Sequence, residues 1–396
     1  MPKVFSIPTP VILITIAQTI GMLTAPLVIF IGGFIGLYLA PSASMSTLPV
    51  TALIVGVAIA GMPAALIMQK IGRRKGFVYA TLIGLLGSVL TIYSIRHELF
   101  WGLCFGIFLL GVHLAFVYQF RFAALEWVNP EKVAQTTNFM MLGGLVAAWL
   151  GPELAMVGLE LLEVKYTGAF VLLAIAHALL LIMLIFINFV EIEKKLNEGS
   201  SRSWLQLLTS PGIAAAITCS AVAYGVMSLI MTATPISMTE FQGFSLIEAK
   251  VVIQTHIMAM FAPSILSPIL LRFMNIGQML VLGLGAIVVA ITIALLDQSY
   301  WGYWSSLVAM GIGWNFCFVA GTSLLAQSYR PKERFSAQAI NELAVFGTQA
   351  GMSLLAGLII FNYGWNALNI MAIPLIIFAL FMLGRWYLVS SVKPTT

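Results

Sequence analysis

Apolar runs, parted by short polar or Pro/Gly-marked breaks, occupy nearly the whole of this 396-residue chain. A helix of about 20 apolar residues crosses the hydrocarbon layer of a bilayer, and the runs have that length. Divided at its breaks, the sequence predicts twelve spanning helices near 11–38, 48–68, 77–95, 100–126, 134–158, 167–190, 212–238, 246–270, 277–296, 301–328, 337–360 and 366–388. The ten-residue alternation that builds a membrane β-barrel is absent. The first run lacks a basic leader and a clear small-residue cleavage site, so it is expected to be retained as a helix.

Composition agrees with this pattern. The chain is 61% hydrophobic and 8% charged, with a mean hydropathy of +1.03. A soluble protein needs a polar surface, and 19 basic plus 14 acidic residues are too few to cover this one. An all-α integral membrane protein follows, with lipid as the solvent for most of its outside. The net charge of +5 points to topology rather than to nucleic acid. With the N-terminus inside, one face of the membrane receives the large majority of the Lys and Arg residues, and the other keeps Arg96, Lys165 and Lys250. By the positive-inside rule both termini are expected in the cytoplasm, and the short loops suggest a bacterial inner membrane. Cys104, Cys219 and Cys317 fall within apolar runs with no metal or disulfide spacing and are expected to be small core residues.

The hydrophilic stretch "EIEKKLNEGSSRSW" at 191–204 divides the helices six and six. The expected domains are an N-terminal bundle at 1–190, a cytoplasmic linker at 191–211 and a C-terminal bundle at 212–396. The halves carry matching residues. Ala134, Gln135, Asn138 and Gly144 recur as Ala337, Gln338, Asn341 and Gly347, while Gly111, His113, Phe116 and Val117 recur as Gly313, Asn315, Phe318 and Val319. Pro63 and Gly72 align with Pro268 and Gly277. Matches in order and at nearly constant offset favour an internal duplication, a common plan among transporters.

Between the second and third runs stands "QKIGRRKG" at 69–76, four cations in eight residues. A glycine-marked turn with cations facing the cytoplasm serves topology by itself. A basic Gly-Arg-Arg loop at this place, with a weaker copy after the eighth run, also resembles the signature loop of the major facilitator superfamily. Lys70, Gly72, Arg73 and Arg74 match its pattern, whereas Gln69 stands where an acid is expected and Ala65 where the first glycine is expected. A glutamine there can hydrogen-bond but cannot form an ion pair. "GGLVAAWLGPELA" at 143–155 resembles the glycine-proline motif of exporters in the same superfamily through Gly151 and Pro152, without the two later glycines. The resemblance implies two pseudo-symmetric six-helix bundles, with the first, fourth, seventh and tenth helices lining a central cavity.

Polar groups inside hydrocarbon are the candidates for contact with a solute. Arg121, in the fourth helix, offers a planar fork of donors to an anion, or snorkels to the interface, or pairs with a glutamate such as Glu126. His113, in the same helix, is a candidate cavity contact facing Asn315, a candidate proton site, or a histidine satisfied between helices. On the seventh helix Tyr224, Met227 and Met231 form a stripe that suits a flat or apolar solute or simple helix packing. Gln18 and Met22 on the first helix and Trp314 on the tenth are similarly placed. Gln254 and His256 share the eighth helix with Pro263 and Pro268, which suits a gate. His177 is expected to be structural. Gln135, Asn138, Gln338, Asn341 and Glu342 sit at two helix starts, either as a cytoplasmic gate between the bundles or as interfacial polar residues.

The expectation is a secondary transporter of a small organic solute that works by alternating access. The solute is amphipathic or aromatic, with an anion left open by Arg121 and protons a candidate coupling ion. Uptake of a vitamin or metal-chelating metabolite is one direction and drug export the other. An enzyme is not expected, since His-Glu-x-x-His, paired intramembrane aspartates and Gly-x-Ser-x-Gly are all missing. A membrane sensor without transport is the reading from another class. Neither a cofactor nor a metal site is expected, and a monomer in the bilayer, without nucleic acid, is the expected assembly.

Overall fold

In a computed structural model of the chain, residues 7–129, 132–189, 203–330 and 333–391 are described. Within hydrocarbon every backbone polar group must be paired inside its own segment, and the apolar runs accordingly fold as helices. Two compact units emerge.

The N-terminal unit comprises residues up to Pro41 together with Ala52–Lys194. Its first span is broken in two, α1 (Thr9–Met22) and α2 (Thr24–Leu39), on either side of Leu23. Then come α3 (Leu48–Ile71), α4 (Arg73–Arg96), α5 (Phe100–Val117), the short α6 (Phe120–Leu125), α7 (Val133–Leu159) and α8 (Thr167–Phe186). Gly72 joins α3 to α4 with φ of 88°, a left-handed conformation that costs other residues energy and lets two long helices reverse at a single residue. Helix α4 packs against α5 and α8, and α7 against α1, α2 and α8.

The C-terminal unit is formed by Ser42–Thr51 and Lys195–Thr396. It contains α9 (Trp204–Thr209), α10 (Pro211–Ile236), which continues as a π-helical turn over Ser237–Phe241, α11 (Leu246–Phe273), α12 (Ile276–Leu296), α13 (Tyr300–Ser328) and α14 (Arg334–Ser391). At Gly364 (φ 79°) α14 turns and becomes two helices. The segment Ser42–Thr51 is held on α14: Gly357 donates its N–H to Thr47 Oγ1 at 3.2 Å, and the Thr51 hydroxyl donates to Ser353 Oγ at 3.2 Å. Helix α10 packs on α13 and α14, while α13 also packs on α11 and α12.

Among the described residues, ten stretches are long and apolar enough to cross a membrane, and the last of them holds the turn at Gly364. This is compatible with the twelve helices expected. Most of the expected linker, with the charges at 194, 195 and 202, lies outside the described residues.

The buried face of α4 is rich in small residues beside Phe77 and Ile95. Helix α4 buries Gly76, Ala80, Gly84, Gly87, Ser88 and Thr91, and turns Tyr79, Leu82, Leu86, Val89 and Tyr93 outward. Lipid is as apolar as leucine, so burial of large side chains does not drive these helices together. Close backbone approach does, and it selects small residues for the contacts.

Candidate functional site

In the C-terminal unit, four aromatic rings from three helices converge. Trp314 and Phe318 stand one helical turn apart on α13 and therefore share a face. Their rings stack with centroids 5.2 Å apart and planes at 7°. Tyr224 of α10 meets the indole edge-on at 4.9 Å and 63°, and Phe318 at 6.1 Å. Phe346 of α14 meets Tyr224 at 6.1 Å and 72°. Such offset and edge-to-face pairs are each worth about 0.5–1.5 kcal/mol beyond area burial. Trp314 is 6% exposed, and its indole N–H has no hydrogen-bond partner. Tyr224 is half-buried. The next residue, Gly225, has room only for a hydrogen: a Cβ there would lie 2.7 Å from Thr348 Cγ2 of α14. The cluster combines stacked ring faces and edges with one buried indole N–H.

Tyr224 and Trp314 are thus brought together. Met227 and Met231 lie buried along α10 in the packing of the unit. Phe318 and Phe346 complete the cluster. The four-residue spacing of Phe318 from Trp314 was a usable signal for the first, whereas the second depends on how α14 lies against α10.

Asn315 points elsewhere. Its amide donates to the carbonyl of Met260 at 2.6 Å and to Ser264 Oγ, both on α11. On the same seam His256 Nδ1 lies 2.6 Å from the carbonyl of Leu307. A carbonyl only accepts, so Nδ1 carries the proton and the ring binds α11 to α13. Gln254 is buried on α11.

In the N-terminal unit His113 is 1% exposed, packed between helices. Its Nδ1 donates to the carbonyl of Ala80 on α4 at 3.0 Å, and its ring meets that of His177 at 4.6 Å and 69°. His177 lies 3.1 Å from both Thr24 Oγ1 (at Nε2) and Ser88 Oγ (at Nδ1). The Ser88 hydroxyl donates to the carbonyl of Gly84 at 3.0 Å, so it accepts from Nδ1–H, and Thr24 donates to Nε2. Both partners favour one neutral tautomer. His177, expected to be structural, is held from two sides.

The pairing of His113 with Asn315 by sequence offset is corrected by the helix faces. Gly111 lies against Leu53 and Gly56 of α3, and Gly311, not Gly313, lies against His256 and Ala259 of α11. Gly313 instead faces Gly283 and Ile287 of α12, just as His113 faces Gly84 of α4. The structural counterpart of His113 is therefore Gly313. Apolar helices align nearly as well at a shift of two residues, and packing distinguishes the registers.

Gln18 donates to the carbonyl of Met140 on α7 at 3.1 Å, and Met22 is half-buried one turn further on. Arg121 is exposed on α6, its guanidinium 4.6 Å from the Phe122 ring centroid. In the basic loop, Arg73 pairs with Glu126 beyond the end of α6, with Nη2 at 2.7 Å and Nε at 3.2 Å from the same oxygen. Arg74 donates to the carbonyl of Ile185 at 2.6 Å, at the C-terminal end of α8 where the helix dipole favours a cation. Gln69 is exposed. Gln135 is half-buried in the first turn of α7, as are Gln338, Asn341 and Glu342 at the start of α14. The side chains of Asn138 and Pro268 lie outside the described residues.

The profile of the Major Facilitator Superfamily matches residues 6–343. The chain belongs to this superfamily. It is an integral membrane transporter rather than an enzyme. Among relatives of this superfamily member is the riboflavin transporter RfnT of Brucella anthropi, 31% identical over 369 residues that make up 92% of each chain. The MFS-type transporter YddS of Bacillus subtilis is 25% identical over 367 residues, 86% of this chain and 82% of that one. A solved bacterial homologue of the human lysosomal transporter Spinster, in an inward-facing and occupied conformation, has the same fold. The TM-score is 0.68 at 13% identity, covering 97% of this chain and 96% of that one.

Proposed function

We propose that this transporter takes up a flat, aromatic, polar-edged metabolite of the vitamin class, such as a flavin, by alternating access. The ring cluster of Tyr224, Trp314, Phe318 and Phe346 carries the reading, because stacked and edge-on rings bind a planar heterocycle while tolerating its polar substituents. A relative named as a riboflavin transporter, similar over nearly the whole chain, supports the same solute class. A monomer in a bacterial inner membrane belongs to the same reading, and the distribution of Lys and Arg supports both termini in the cytoplasm.

Coupling to protons is a separate part of this reading. His113 and His256 each donate one ring proton to a backbone carbonyl, and no carboxylate pairs with either ring. The imposed pH gradient in the assay below tests this part of the reading.

The test is uptake of radiolabelled riboflavin into proteoliposomes, with and without an imposed pH gradient. Accumulation that Tyr224→Ala reduces supports the proposal. Removal of one stacking ring is expected to weaken binding about 5- to 100-fold. Wild-type vesicles that take up neither riboflavin nor other planar heterocycles would overturn it.

A further inference from the structure

The indole N–H of Trp314 is buried within the ring cluster and has no hydrogen-bond partner. A buried donor left without an acceptor costs about 1–3 kcal/mol, and the faces of neighbouring rings replace a true acceptor only weakly. Phenylalanine would supply the stacking on Phe318 and the contact with Tyr224 without that cost. The tryptophan therefore brings to this position one thing that the surrounding packing does not use, a directed donor at the edge of an aromatic surface.

Several neighbouring polar groups have other partners, although Ser228, one turn beyond Tyr224 on α10, is a second buried hydroxyl without one. Asn315, the next residue along α13, directs its amide to Met260 and Ser264 on α11. His256 is engaged with Leu307 through Nδ1. Thr232, two turns beyond Tyr224 on α10, is within 3.4 Å of Ser353. Among the four rings of the cluster, the Trp314 indole carries a buried donor whose proton has no acceptor among the described residues.

We infer that Trp314 is a specificity-determining residue, whose N–H donates a hydrogen bond to a ring carbonyl or ring nitrogen on the edge of the transported heterocycle. This rests on the proposal that the solute is a planar heterocycle. It adds that a solute with an acceptor on its ring edge is selected over a planar one without it. A site built to hydrogen-bond one partner discriminates strongly, because an analogue lacking the group leaves the site's own donor unpaired.

The experiment uses the purified full-length protein and riboflavin as the probe, with affinity read from quenching of flavin fluorescence. Two variants are compared with wild type. One is Trp314→Phe, and the other replaces Trp314 by its benzothiophene isostere, which keeps the ring outline and lacks the N–H. Each is expected to bind riboflavin about tenfold more weakly, the loss of one hydrogen bond to a buried donor. The isostere should leave the thermal midpoint unchanged or raised. Full affinity in the isostere would overturn the role of the N–H while leaving the heterocycle reading intact. Absence of binding to riboflavin and to other planar heterocycles in the wild type would overturn both.

Discussion

Gly84 is a position where one added methyl group would meet a side chain held in place. A Cβ there would lie 2.7 Å from Cγ of His113, whose ring is held in place by the Ala80 carbonyl and the ring of His177. Gly84→Ala is expected to cost about 1–3 kcal/mol, the usual price of overpacking a tight interior. It should appear as a lowered thermal midpoint in detergent, and an unchanged midpoint would mean that the His113 ring moves freely. Ser88→Ala acts on the same pair from the other side. It leaves Nδ1–H of His177 without its acceptor, and a loss of about 1–3 kcal/mol is expected.

At the scale of elements, α4 is joined to its neighbours at both ends by different physics. Within the membrane its small residues allow close approach to α5 and α8. At its start, Arg73 reaches Glu126 and Arg74 reaches the last turn of α8. Arg73 and Glu126 side chains are 10% and 24% exposed, so the pair is only partly screened by water. A double-mutant cycle with Arg73→Ala and Glu126→Gln is expected to return a coupling of about 1 kcal/mol in thermal stability, and additive effects would remove this joint from the account. The turn from α12 to α13 depends on pH. The backbone N–H of Ser299, and then its hydroxyl, hold the Asp297 carboxyl below the usual carboxylate range. A lowered folded pKa means that the contribution is fully present above the unfolded value of about 3.9 and is lost as pH falls through the folded value. Asp297→Ala should therefore lower the thermal midpoint by a constant amount from pH 5 to pH 8 (about neutral conditions), and the difference should shrink below about pH 4.

At the scale of the molecule, each unit has a buried interior of its own, joined in sequence through the stretch at 191–204. Co-expression of two chains divided within that stretch is expected to restore riboflavin uptake in cells, whereas either chain alone is expected to give none. The matching residues of the two halves support the same expectation, since an internal duplication gives each half its own packing. A reporter fused to the C-terminus should be active only if it is one that works in the cytoplasm, and the opposite result would reverse the orientation drawn from Lys and Arg.

Hydropathy is local and additive, so the apolar runs and their breaks were readable from residue order alone. The break at Leu23 and the stop after Val117 were not marked by composition, whereas the turn at Gly364 falls in the break expected between 360 and 366. The superfamily was legible because Gly72, Arg73 and Arg74 stand in a loop whose position the hydropathy had already located. Tyr224 and Trp314 were legible as aromatic residues on candidate helices, but not as neighbours, and Phe346 was missed. The reason is that these helices are apolar on every side. A helix in water announces its buried face by amphipathic periodicity, while one in lipid hides it, and only close packing at residues such as Gly84, Gly111 and Gly225 decides which face meets which partner. For that reason His113 was paired with Asn315 by residue order and with Gly313 by the fold.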